Sequence, residues 1–291
     1  MFTATLVTNP AMFLEPALVG ALRNAMGGGE VTWLHPDCAA EFPVKSVPKN
    51  IDAVWESLQA EGVDLVVQPG ANRRKRLLLA DMDSTMIQQE CIDELAEAAG
   101  HGDAVRAVTA RAMNGELDFE DALRERVAVM KGLPEAVIDE VLKTRITMMP
   151  GGATLVATMK AQGAYTALVS GGFTAFTEKV AARLGFDENR ANVLVSEKGV
   201  LTGTVADPVL GRQAKVDALA DLTARLGIGA GDVLAIGDGA NDLGMLAAAG
   251  LGVAVHAKPA VQAEARHRIN HGDLTALLYV QGYAQAEFVT R

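Results

Sequence analysis

The chain has 291 residues, more than the roughly 100–200 of one typical domain, so two units or one domain with an insert are expected. At 49% hydrophobic and 21% charged residues it is too apolar for disorder, and its formal net charge of −10 argues against nucleic acid or an anionic membrane as partner. No apolar run approaches the ~20 residues that span a bilayer.

The N-terminus, MFTATLVTNPAMF, lacks the basic start and long apolar core of a signal peptide, so a cytoplasmic location is expected. Cys38 and Cys91 lie far apart, fit no metal-ligand spacing and suit a reducing compartment. His267 and His271 have i, i+4 spacing, but Asn270 and Gly272 suggest a turn, and no further ligand completes a zinc set.

Residues 1–72 read as a small α/β unit. Strands are expected at 3–8, 31–34 and 63–67, with helices at 14–26 and 51–60; Pro16 starts the first helix and Gly27-Gly28-Gly29 stops it. Pro69-Gly70-Ala71-Asn72 reads as a boundary, and Arg73-Arg74-Lys75-Arg76 as a solvated linker.

Residues 73–291 follow a different pattern. Short, nearly continuous apolar runs at 77–80, 165–169, 233–236 and 251–255 suit strands covered on both faces, and helices at 153–162, 173–184 and 213–226 lie between them. This alternation predicts a Rossmann-like doubly wound parallel sheet. Residues 92–147 break it with four expected helices and no strand, a helical cap inserted after the first strand; Met113 and Met130 are expected as packing residues, with Met113 a candidate for the pocket wall. Residues 193–196 and 200–205 resemble a β-hairpin turning at Glu197-Lys198-Gly199.

Ligands gather beyond the carboxyl ends of parallel strands. Three of the apolar runs end there in Asp81-Met82-Asp83-Ser84-Thr85, in Ser170-Gly171-Gly172 and in Gly237-Asp238-Gly239-Ala240-Asn241-Asp242, and Lys215 opens the helix before the third. Crowded carboxylates need a cation, and oxygen ligands without thiolate or imidazole favour Mg²⁺. Lys215, the Ser170 hydroxyl and the Gly171 amide make a phosphate site. Asp81 could then attack phosphorus while Asp83 handles protons.

These four motifs, in this order, resemble those of the haloacid-dehalogenase-like phosphohydrolases, and in detail the phosphoserine phosphatase family within them. The resemblance covers about residues 76–285. It implies hydrolysis of O-phospho-L-serine, the last step of serine biosynthesis, through a Mg²⁺-dependent phosphoryl-Asp81. It further implies that Glu90 holds the substrate ammonium and Arg126, within Phe119-Glu120-Asp121-Ala122-Leu123-Arg124-Glu125-Arg126-Val127, the carboxylate. Ser170, Gly171, Lys215 and Asn241 would hold phosphate. Asp81, the Asp83 carbonyl and Asp238 would ligate the metal, supported by Asp242. Two other readings stay open: a phosphatase or phosphotransferase for another small phosphomonoester, and a phospho-aspartate signalling module. Residues 1–72 loosely suggest a regulatory unit, and a homo-oligomer is not indicated.

Overall fold

A computed structural model of the chain describes residues 1–113 and 116–290; the Met113 side chain lies outside the described part. The first 69 residues form β1 (Phe2–Thr8), α1 (Pro16–Ala25), β2 (Thr32–His35), β3 (Ala39–Val44), α2 (Ile51–Ala60) and β4 (Val63–Pro69). The strands make an antiparallel sheet in the order β2-β3-β1-β4. Both faces are covered. Ala4, Leu6, Phe42 and Leu65 pack in one cluster with Val19 of α1 and Leu58 of α2, while Val7, Ala39 and Val66 join a second cluster shared with the rest of the chain. β3 is a strand the apolar pattern did not predict. Glu41 and Pro43 interrupt its run, and Pro43 sits beyond the β2 pairing with its carbonyl accepting from the Gly29 N–H.

The remaining chain opens with β5 (Leu77–Ala80), then α3 (Cys91–Ala98), α4 (Gly102–Met113), α5 (Phe119–Ala128), α6 (Ala136–Thr144) and α7 (Gly152–Ala161). There follow β6 (Tyr165–Phe173), α8 (Thr174–Leu184), β7 (Glu188–Asn192), the hairpin β8 (Leu194–Glu197) and β9 (Val200–Val205), and α9 (Arg212–Leu226). The chain closes through β10 (Val233–Gly237), α10 (Leu243–Ala248), β11 (Leu251–Val255), α11 (Pro259–Glu264), β12 (His267–Ile269) and α12 (Ala276–Val280). Six strands form a parallel sheet in the order β12-β11-β10-β5-β6-β7. Every residue of β5, β10 and β11 is buried, as continuous apolar runs require of strands covered on both faces. The expected α/β architecture is therefore present, with helices α3–α6 inserted between β5 and α7. Met130 is fully buried within that insert.

Helix ends follow local chemistry. Asp118 caps α5 by accepting the Asp121 N–H at 2.8 Å, and Gly185 ends α8 in the left-handed region at φ 86°. The hairpin belongs structurally with the inserted helices. The Gly132 N–H donates to the Leu201 carbonyl, the Leu201 N–H to that of Leu133, and the Glu135 N–H to that of Gly199.

The basic run at 73–76 is solvated only in part, and that expectation is corrected: Arg74 and Arg76 are exposed, whereas Arg73 is half-buried and Lys75 buried. Arg73 pairs with Glu41 of β3 and donates to the Val280 carbonyl at 3.0 Å. The buried Lys75 ammonium donates to the carbonyls of Asn72 and Gly231 at 2.6 and 2.8 Å. Arg74 lies over the Tyr283 ring, its guanidinium carbon 4.1 Å from the centroid. The connection between the sheets is thus a strap, tied on both sides. A second tie is Asp64 of β4, whose carboxylate accepts the amides of Asn270, His271 and Gly272 at 2.7–2.9 Å.

Candidate active site

Sheet register places the predicted motifs level with one another. Ala80 at the end of β5 pairs with Ile236 of β10 on one side and Leu168 of β6 on the other. Asp81, Asp238 and Ser170 each follow within two residues of that common line, so parallel pairing brings them to one edge. Asp81 continues the sheet by one bond, its N–H donating to the Ile236 carbonyl.

The floor of the site is buried and mostly ionic. Lys215 Nζ lies 2.7 Å from Asp81 Oδ1 and 2.6 Å from Asp242 Oδ1. Lys215 is 2% exposed and Asp242 fully buried, so these charges see little water. Carboxylate oxygens of Asp81, Asp238 and Asp242 lie within 4.8 Å of one another. Asp238 Oδ1 also accepts the hydroxyl of the fully buried Thr85 at 2.7 Å.

This cluster holds more negative than positive charge. Burial, with the charge of Asp81 added, pushes the carboxyls of Asp238 to about 6 and Asp242 to about 7. Burial alone would lower the Lys215 ammonium; the carboxylates of Asp81 and Asp242 outweigh it and raise it instead. The excess charge and the all-oxygen donor set fit a small hard divalent cation.

Asp83 stands one step above. Its Oδ1 accepts the Cys91 N–H at 2.8 Å and its Oδ2 the Ser170 hydroxyl at 3.3 Å. Burial, then the charges of Glu90 and Asp81, push its carboxyl up to about 7. The Ser170 hydroxyl oxygen also accepts the Gly172 N–H at 2.8 Å. A β-carbon on Gly172 would fall 2.7 Å from Asp83 Oδ2, so only glycine permits this approach.

The roof comes from the inserted helices. Glu90 precedes α3 and accepts the Ser84 hydroxyl at 2.7 Å. Arg126 on α5 is held by its own helix, Nε donating to the Ala122 carbonyl at 3.1 Å, which leaves the guanidinium nitrogens beyond it free of any described hydrogen bond. Burial lowers its pKa, opposed by Asp93, Glu90 and Asp83. Phe119, seven residues earlier on the same face, lies over two glycines: a β-carbon on Gly171 or Gly211 would come within 3.2–3.3 Å of its ring.

Floor and roof enclose a cavity of about 460 Å³ lined by Asp81, Asp83, Glu90, Arg126, Ser170, Gly171, Asp238 and Asn241. Of the predicted residues, Lys215 and Asp242 do not line it but stand behind Asp81. Sequence reasoning gave no role to Thr85, although it stands inside the first motif, nor to Lys258, which also lines the cavity. The signal for Lys258 was positional: it follows the fourth apolar run as the other groups follow theirs.

Comparison with known proteins agrees with this geometry. The family model of haloacid dehalogenase-like hydrolases matches residues 78–247. A phosphoserine phosphatase of Streptomyces coelicolor is 43% identical over 87% of this chain and 62% of its own length. One from a Polaromonas species is 46% identical over 70% of this chain and 88% of its own. The chain thus spans under two thirds of the first relative and most of the second. A crystal structure of a HAD-family hydrolase from Salmonella enterica serovar Typhi superposes with TM-score 0.86 at 30% identity, covering 96% of this chain and 98% of that one. Motif order, strand-end geometry and these likenesses agree: the chain belongs to the haloacid dehalogenase-like hydrolases.

Proposed function

We propose that this chain hydrolyses O-phospho-L-serine to L-serine and phosphate through a phosphoryl-Asp81 intermediate. The observation that carries the reading is the pairing of an acidic floor with a roof of opposite charges, Glu90 and Arg126, around one cavity. Phosphoserine has three charged groups. A guanidinium suits its carboxylate, a carboxylate suits its ammonium, and its phosphate belongs over the floor. The phosphoserine phosphatases among the relatives support the same substrate.

The chemistry assigned to each residue follows from its place. Mg²⁺, held by Asp81, Asp238 and the Asp83 carbonyl with Asp242 in support, would supply positive charge to offset that of the phosphoryl group. Asp81 is the nucleophile: its oxygen bonds to phosphorus as the bond from phosphorus to the serine oxygen breaks. Asp83, whose buried setting raises its pKa to about 7, gives a proton to that leaving oxygen. It then takes a proton from the water that cleaves the acyl phosphate, releasing phosphate and restoring Asp81. Ser170, Gly171 and Asn241 hold the phosphate oxygens, and Lys215 holds Asp81 in place from behind. Phe119 excludes bulk water while the intermediate exists.

In this reading residues 1–72 form a separate N-terminal unit, and residues 73–291 a hydrolase unit with a helical cap at about 92–147. A cytoplasmic location fits the two buried free thiols, Cys38 and Cys91. No helix among the described residues is long and apolar enough to cross a membrane.

The test is phosphate release from phosphoserine, phosphothreonine and a sugar phosphate, with and without Mg²⁺. Preferred release from phosphoserine, dependent on the metal, is expected. Equal rates on all three esters would reject the substrate, and turnover unaffected by chelation would reject the metal.

A further inference from the structure

The strand that carries Ser170 does not pair evenly with its neighbour. β6 and β7 run in step from Ala167↔Glu188 to Val169↔Arg190, and the next pair is Phe173↔Asn192. Four steps along β6 (169 to 173) therefore face two along β7 (190 to 192). The surplus makes Ser170-Gly171-Gly172 a bulge at the edge of the cavity. Bulges re-aim the chain at functional sites and leave backbone groups without ladder partners.

A side chain replaces the missing ladder. Asn192 Nδ2 donates to the Gly171 carbonyl at 2.8 Å. It also donates to the Leu210 carbonyl at 3.2 Å, and Asn192 Oδ1 accepts the Leu210 N–H at 2.7 Å. The amide cannot be turned over, since its oxygen would then face two carbonyl oxygens. Asn192 is 2% exposed, so water is a poor substitute partner.

These bonds join two parts of the site. Leu210 precedes Gly211, the residue that opens α9, and α9 carries Lys215. Phe119 of the roof rests on both Gly171 and Gly211. Asn192 itself does not line the cavity.

We propose that Asn192 is a positioning residue for phosphoryl transfer. It holds the Gly171 bulge in the shape that receives phosphate and locks it to the entry of the helix that bears Lys215. The inference deepens the hydrolase reading above and rests on it.

The test compares two ligands that meet different walls of one cavity. Inorganic phosphate and L-serine are titrated separately against the Mg²⁺-loaded wild type and Asn192→Leu, which keeps the branching and the number of side-chain heavy atoms and loses all three bonds. Phosphate affinity is expected to fall about tenfold, the effect of losing buried hydrogen bonds, while serine affinity stays within about twofold. Equal loss for both ligands would reduce Asn192 to a packing residue, and unchanged phosphate affinity would overturn the proposal. Should Asn192→Leu fail to fold, Asn192→Ser serves in its place with the same expectation. Hydrogen exchange of the wild-type Leu210 amide adds an independent check: it should be protected, and exchange at the rate of an open loop would also overturn the proposal. Failure of the hydrolase reading is seen separately, as absent phosphate release from phosphoserine by the wild type, while the phosphate titration still reports on the bulge.

Discussion

The floor and the roof of the cavity are built on opposite principles. On the floor, Asp81 and Asp242 are buried and each pairs with the buried Lys215 ammonium, at 2.7 and 2.6 Å. On the roof, Glu90 and Arg126 line the cavity; among the described residues Glu90 accepts from Ser84 of the first strand-end motif and Arg126 donates to the Ala122 carbonyl of its own helix. A pre-paired charge set cannot be rearranged cheaply, so it suits a step that must be the same for every substrate. Charges with spare bonding capacity suit recognition, since the ligand supplies the partner. Under the proposed function this is a division of labour: the strand ends would perform the chemistry and the inserted helices would choose the ester.

That division can be broken by experiment. The largest effect is expected for Asp81→Asn, which should lower kcat by about 10⁴-fold or more on every ester, with phosphoserine binding retained. Quench-flow with labelled substrate should find no phosphoenzyme; finding one would move the nucleophile elsewhere. Next, Arg126→Ala should lower kcat/KM for phosphoserine about 10²-fold while sparing esters without a carboxylate. If all esters lose equally, the roof is structural and the division fails.

Smaller changes sharpen it. Thr85→Val removes the hydroxyl that holds Asp238 and should raise the Mg²⁺ concentration for half-maximal activity about tenfold, as loss of an outer-shell partner does. Titration of the metal by calorimetry should show the same loss, and an unchanged affinity would leave Thr85 with packing alone. The least effect is expected for Phe119→Ala, about three- to tenfold in kcat, because the Phe119 ring lies over Gly171 and Gly211 and carries no polar group to hold a substrate. A larger fall than for Arg126→Ala would make closure, not charge, the chief work of the roof.

Much of this architecture was readable in advance, and the reasons are specific. β5, β10 and β11 are covered on both faces, so their apolar runs mark them whatever their neighbours are. The residues after those runs showed the floor, because parallel strands end at a common edge. What escaped was edge structure. β7 is Glu-Asn-Arg-Ala-Asn and β12 is His-Arg-Ile, the outermost strands of the parallel sheet, where one side needs no apolar run. His267 in consequence sits buried in a strand, where burial between Arg266 and Arg268 lowers its pKa to about 4. The strap at 73–76 escaped for another reason: four consecutive basic residues look solvated until Glu41, Val280 and Gly231 are brought beside them.

The linear chain by itself determined which groups could do chemistry and which strand tips would carry them, since both depend on local composition and on the period of apolar residues. Only the tertiary structure decided that Lys215 stands behind Asp81 rather than at the cavity wall, that Thr85 steadies Asp238, and that Asn192 replaces a broken ladder. Each of those contacts joins residues 21 to 153 positions apart or turns on a register shift between strands. Hydrogen bonds act over about 3 Å, and no local pattern encodes a distance of that size between remote parts of a chain.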